Sequence, residues 1–213
     1  ACLPDLLRLL QPDYRLLSAN GVALARYRTL YFDAPDFASI VAHHRGRRPR
    51  KKVRIRHHVD RGLSFLEVKT KTGADRTDKA RLPVPFACEE LDDAAHDFLA
   101  ENGAANPQGF VPTLRTDFDR ITLVGAGTER VTIDVGLALA SDEAREQLND
   151  LCIVEVKQGH LSPRSPAMLA LRHCRVRQRR ISKYCTAASL LVPDLRLGRF
   201  KPSLRAARRL IHG

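Results

Sequence analysis

The chain has 213 residues, 44% hydrophobic and 28% charged, enough for one domain with a sizeable core. Its 36 Lys and Arg against 24 Asp and Glu leave a net charge of +12, which points to a polyanionic partner: nucleic acid, an acidic membrane surface or phosphate chains. No apolar run approaches the roughly 18 residues of a membrane-crossing helix, and five scattered cysteines without CxxC spacing exclude a disulfide framework and suit a reducing, cytoplasmic compartment.

The opening ACLPDLLRLL lacks the basic start and cleavage site of a signal peptide, and Met168 is the only methionine, so the chain reads as a fragment or a trimmed product. The first strand expected is 26–33, rich in aromatic and β-branched residues, followed by a short helix over 36–46 that Gly46 stops. Strands over 52–59 and 63–72 flank the turn Asp60-Arg61-Gly62 and make a hairpin. A strand over 79–84 follows, confined by Pro83 to an edge or an end of a sheet. An amphipathic helix spans 91–102 before Gly103. Strands over 114–124 and 130–137 are joined by the turn at 125–128, and after a polar stretch around 141–149 the last strand spans 151–157. Helices are expected over 163–174 and 182–192, the second capped by Ser182. The basic tail 196–213 reads as a solvated amphipathic helix beyond one tunnel-sized domain, 1–195.

Side chains alternate between the two faces of a strand. On that period Lys52, Arg54, Arg56 and His58 share one face, as do Phe65, Glu67, Lys69 and Lys71 on the next strand, then Lys79 and Arg81. Later strands continue the pattern with Phe118, Arg120 and Thr122, with Arg130, Thr132 and Asp134, and with Glu155 and Lys157. Each of these six faces is opposed by an apolar one. Two readings follow. Either every charged face is solvated, or the sheet closes with the charged faces inward, making a cationic, water-filled lumen. Arg and Lys so placed match phosphate oxygens, and the carboxylates Glu155 and Glu67 among them are candidate ligands of a hard divalent cation, with an internal salt bridge as the alternative for each.

The segments RKKVRIR (50–56), FLEVKTK (65–71), DKARL (78–82), RVTID (130–134), IVEVK (153–157) and ISKYC (181–185) occur in an order and spacing that resembles the VTC domain of the CYTH, or triphosphate tunnel metalloenzyme, superfamily, over about 26–190. The resemblance implies an α+β fold: a closed antiparallel β-barrel with helices packed outside. It also implies an enzyme, a polyphosphate polymerase-like phosphotransferase, that works with Mn²⁺ or Mg²⁺ on ATP or another triphosphate and on inorganic polyphosphate. By position, Arg54 and Arg56 resemble the paired tunnel arginines, Lys69 and Lys79 the tunnel lysines, and Arg120 and Arg130 the arginines of the opposite wall. Glu155 resembles the metal-holding carboxylate, and Arg180, Ser182 and Lys183 a substrate-contacting element at one tunnel mouth. Lys52, Lys71, Arg81 and Lys157 join them as substrate-binding candidates from the alternation alone. The superfamily's first strand precedes the segment with which this chain begins, so the barrel is expected to lack it. Phe118 stands where the resemblance expects a tyrosine.

Alternatives are hydrolysis of triphosphate or short polyphosphate, and a non-catalytic module binding polyphosphate or nucleic acid. Nucleic acid is disfavoured because aromatic content is 6%, with no Trp, and the basic faces are nearly bare of rings for base stacking.

Overall fold

A computed structural model of the chain describes residues 2–18, 21–73, 77–193 and 195; the tail 196–213 lies outside them. The described elements are α1 (Leu3–Leu10), β1 (Arg15–Leu16), β2 (Leu24–Asp33), α2 (Ala38–His44), β3 (Arg50–His58), β4 (Leu63–Lys71), β5 (Thr77–Val84), α3 (Asp93–Glu101), β6 (Val111–Val124), β7 (Arg130–Ala140), β8 (Arg145–Leu148), β9 (Ile153–Lys157), α4 (Pro166–His173) and α5 (Lys183–Leu191). No described helix is long and apolar enough to cross a membrane. Helix α1 and strands β1 and β8 have no counterpart among the expected elements.

The strands form one antiparallel sheet in the order β5-β4-β3-β2-β6-β7-β8, with β1 on β6 and β9 on β7. The β3–β4 hairpin turns where expected, with Gly62 left-handed (φ 59°), and β5, carrying Pro83, is an edge strand. The expected closed barrel is not formed: among the described residues β5 pairs only with β4, and β8 and β9 only with β7. Lys69 of β4 is near enough to Glu155 and Lys157 of β9 for both to act on its ammonium, so the two ends of the sheet approach each other without pairing.

The outer face carries two apolar layers. Leu30, Phe32, Val53, Ile55, Leu66 and Val68 pack on Ala95 and Leu99 of α3, while Leu123, Val131 and Ile133 pack on Leu6 and Leu10 of α1 and Ala167 and Ala170 of α4. Helix α5 departs from the expectation that helices sit outside, because it lies in the concave face. There Tyr184 stacks on Tyr31 with ring centroids 4.4 Å apart, among Leu114, Phe118, Leu137 and Leu139.

A bulge at one glycine brings Leu137 and Leu139 into that inner apolar patch. Gly136 adopts φ 61°, and between Asp119↔Val135 and Asp117↔Ala138 β7 holds one more residue than β6. Such a bulge reverses which side chains face inward. Before it, Arg130, Thr132 and Asp134 share the inner face; after it, Leu137 and Leu139 do.

Candidate functional site

The charged faces converge. In the half of the concave surface lined by β3, β4, β6 and β7, two carboxylates are each held by two cations. Glu67, 3% exposed, accepts from Arg54 Nε at 2.8 Å and Nη2 at 2.7 Å, and its other oxygen pairs with Lys79. Asp134, also 3% exposed, accepts from Arg120 Nε at 2.6 Å and Nη2 at 2.8 Å and pairs with Lys183, the first residue of α5. The strand register sets both clamps, since Arg54 faces Glu67 and Arg120 faces Asp134 across adjacent strands. Burial alone would raise Glu67, but Arg54, Arg56 and Lys79 outweigh it and hold its carboxyl at about 2. Asp134 is likewise lowered, by Arg120 and Lys183 against the effect of burial.

Arg56 makes no ion pair among the described residues, though it and Glu67 are near enough for their charges to act on each other. Its Nε donates to Thr29 Oγ1 at 3.4 Å, and its guanidinium lies 5.7 Å from the Tyr27 ring centroid and 6.0 Å from that of Phe118. Arg120 lies over the same two rings at 5.2 and 5.3 Å, and Lys183 Nζ is 4.1 Å from the Phe118 centroid. Tyr27 and Phe118 stack at 5.4 Å. Phe118 thus offers a ring face to three converging cations in place of a hydroxyl. The expectation of basic faces nearly bare of rings is therefore corrected: β2, whose inner face was not read from the sequence, supplies Tyr27 and Tyr31 beside Thr29 and Asp33.

Burial and neighbouring cations push Arg56 down to about 10, and Lys183 to about 8 even with Asp134 opposing. Lys52, whose Nζ donates to Ser182 Oγ at 2.7 Å, is also pushed down to about 8 by burial and by Lys69 and Arg54. Ser182 caps α5 as expected, its Oγ accepting from Cys185 N–H at 3.4 Å. The back of the site is anchored by Asp33, which accepts from Ala34, Ser39 and Ile40 N–H groups and from the Tyr184 hydroxyl at 2.9 Å.

The structure thus gathers Lys52, Arg54, Arg56, Glu67, Lys79, Arg120, Ser182 and Lys183, with Lys69 facing Glu155. Arg130 and Lys157 sit opposite each other on β7 and β9, both exposed. Lys71 ends β4 opposite Arg50, Arg81 lies over the Phe65 ring at 5.1 Å, and Arg180 is exposed in the segment before α5. Tyr27, Thr29, Tyr31, Asp33 and Tyr184 are the residues sequence reasoning missed. The period-two spacing of the first four was the available signal.

For a divalent metal, Glu155 differs from the other two acids. Its side chain is 56% exposed, and among the described residues its one ion pair, with Lys157, is loose at 3.8 Å and the buried hydroxyl of Thr132, directly opposite it, has no hydrogen-bond partner. These oxygens suit a hard cation. Among the described residues no three His, Cys, Asp or Glu converge, so such an ion would complete its shell with water and substrate oxygens, as Mg²⁺ does. The donor set fits.

A family model, VTC domain, matches residues 3–192. The chain belongs to the VTC domain family. The match starts well before residue 26 and takes in α1. Solved structures share this fold at low identity. A Pyrococcus horikoshii protein, PH1819, is 13% identical with TM-score 0.52, covering 88% of this chain and 94% of its own. A conserved hypothetical protein from Pyrococcus furiosus is 13% identical with TM-score 0.50, covering 87% and 94%. The Hippeastrum protein HpAC1, described as a candidate adenylyl cyclase with a dominant triphosphatase activity, is 13% identical with TM-score 0.52, covering 89% and 91%. No curated protein matches the chain.

Proposed function

We propose that this VTC domain catalyses metal-dependent phosphoryl transfer in its cationic lumen, extending inorganic polyphosphate with the γ-phosphate of ATP. The observation that carries the reading is the contrast among three lumen carboxylates: Glu67 and Asp134 are each committed to two cations, whereas Glu155 is half-exposed beside an unpartnered hydroxyl. The first two acids hold cations in place, and the third is left for a metal.

In this reading Arg54 and Arg56 on one wall and Arg120 and Lys183 on the other grip the oxygens of the triphosphate. Lys69 and Lys79 extend the grip along β4 and β5, Lys52 and Ser182 hold it at one rim, and Arg130 and Lys157 hold it at the far end. Lys71, Arg81 and Arg180 lie outside this inner set and contact the ends of longer substrates. The terminal oxygen of the growing chain attacks the γ-phosphorus, and the bond from that phosphorus to the bridging oxygen breaks, releasing ADP. The attacking phosphate is already an anion at neutral pH, so the step needs alignment and charge neutralisation, with no covalent intermediate and no general base. When bound at Glu155, Mn²⁺ or Mg²⁺ supplies neutralisation of charge on the leaving diphosphate.

Hydrolysis of triphosphate is the second reading, favoured by the activity described for HpAC1. Incubation with ATP and Mn²⁺, followed by separation of long chains from free phosphate, tests both. Long chains are the expected product; free phosphate without chains would overturn the polymerase reading in favour of hydrolysis.

A further inference from the structure

Two long stretches of this sequence carry no acid: between Asp36 and Asp60, and between Glu155 and Asp194. Each contains a loop that leaves a helix through a left-handed residue. Helix α2 ends at Gly46 (φ 71°), where Gly46 N–H donates to His43 O and Arg47 N–H to Ala42 O. Arg45 before this glycine and Arg47 and Arg48 after it are exposed. Helix α4 ends at Arg175 (φ 55°), whose N–H donates to Arg172 O while Val176 N–H donates to Leu171 O. The chain beyond it exposes Arg175, Arg177 and Arg179.

The two loops reach the same rim of the lumen. At the end of α2, His43 Nδ1 lies 3.0 Å from Cys185 Sγ in the first turn of α5. Near the start of β3, Lys52 Nζ lies 2.7 Å from Ser182 Oγ. One loop therefore runs into β3 and the other into α5 where Lys52 and Ser182 mark the edge of the cationic surface. Among the described residues none of the six arginines makes an ion pair.

We infer that these six arginines form an outer track that holds the length of a polyphosphate chain lying beyond the lumen, so that affinity rises with chain length. The inference rests on the proposed function and adds a second, external subsite to it. Forked guanidinium groups suit successive phosphates. Neither 45–51 nor 172–181 contains Phe, Tyr or Trp, so nucleic acid would find no stacking surface there. The two loops lead along the chain into Lys52 and Ser182, which are in contact, and the track would join the lumen there.

The test compares the wild type with Arg175→Gly/Arg177→Gln/Arg179→Gln. Glycine at 175 relaxes a backbone conformation that arginine adopts at a cost, so a stable variant is expected, checked by its thermal midpoint. Binding of tripolyphosphate and of long-chain polyphosphate is measured by calorimetry at two salt concentrations. The variant should hold tripolyphosphate as the wild type does and bind the long chain roughly tenfold more weakly, with a flatter salt dependence. Unchanged long-chain affinity, in a wild type that binds both ligands, would overturn the track and leave the lumen reading standing. A wild type that binds neither ligand would overturn the lumen reading and the track with it. Phosphatidylserine vesicles form a further arm: if they retain the wild type and release the variant while long-chain affinity stays equal, the arginines belong to a membrane surface and the inference fails.

Discussion

The concave face of this VTC domain has two halves that share strands and differ in chemistry. On one side of Gly136, inward residues are Arg, Lys and carboxylates interleaved with rings; on the other they are Leu137, Leu139 and Leu114 around Tyr184. The same strands serve both halves because one extra residue in β7 reverses its inward set. The apolar half seats α5 and so delivers Lys183 to Asp134. On the proposed function, fold stability and phosphate chemistry fall to adjacent but separable regions, and substitutions in each should have different readouts.

The largest expected effect is at the one lumen acid not already committed. Glu155→Gln should remove the Mn²⁺ dependence of triphosphate binding, followed by paramagnetic resonance of the free ion, while leaving the thermal midpoint near the wild-type value. A variant that still takes up Mn²⁺ with substrate would move the metal elsewhere. Next comes the clamp at Asp134. Asp134→Asn leaves Arg120 and Lys183 buried without their counter-charge, at a cost of about 3–5 kcal/mol in denaturant unfolding. Added triphosphate should restore part of that loss. In the apolar half, Leu139→Ala should cost about 2–5 kcal/mol through the cavity it leaves, with triphosphate affinity per folded molecule unchanged. Equal rescue of both variants by triphosphate would dissolve the distinction between the halves.

How much of this was legible in the sequence follows from which periods it carries. The alternation in 52–58, 65–71 and 130–134 marked the charged faces, and Asp60-Arg61-Gly62 and Pro83 marked a hairpin and an edge. The bulge at Gly136 had a signal in the glycine itself, but the strand expected over 130–137 stops one residue past it, so the change of face beyond was not legible. Nor was the seat of α5, which depends on Tyr31 and Tyr184, residues far apart in the chain. Helix α1 and strand β8 were missed for other reasons. Leu3, Leu6, Leu7 and Leu10 do have helical spacing, but in a segment read only for targeting signals, while the REQL of β8 has no strand-like composition and is ordered by pairing with β7. The partners of Glu67 and Asp134 needed the register. Phe118 reads as a lost hydroxyl in the sequence and as a support for three cations in the structure.

That support gives a smaller effect. Phe118→Leu should weaken triphosphate binding by roughly tenfold, in line with about 0.5–2 kcal/mol for cation–π contacts, and Phe118→Tyr should restore it. A leucine variant with wild-type affinity would make the ring mere filler.

The smallest effect is on pH. Lys52 and Lys183, each near 8 in the folded protein, carry protons below that value, so triphosphate affinity should fall as pH rises through about 8. Folding stability should move the other way. Between about 8 and the ordinary lysine value of 10.5 the unfolded chain binds more protons than the folded one, so stability gains as pH rises through that window. Affinity that is flat from pH 7 to 9.5 would place both lysines outside the binding surface.

Arg56 offers the most direct test, because it sits among other cations with a threonine hydroxyl as its hydrogen-bond partner. A glutamate at that position would meet Arg54 and Arg120 as well as Glu67, so Arg56→Glu should still fold, with its thermal midpoint checked against the wild type. Calorimetric titration of this variant with tripolyphosphate and Mn²⁺ is predicted to give no binding where the wild type binds. Binding at wild-type affinity would contradict the claim that these converging cations are where phosphate is held.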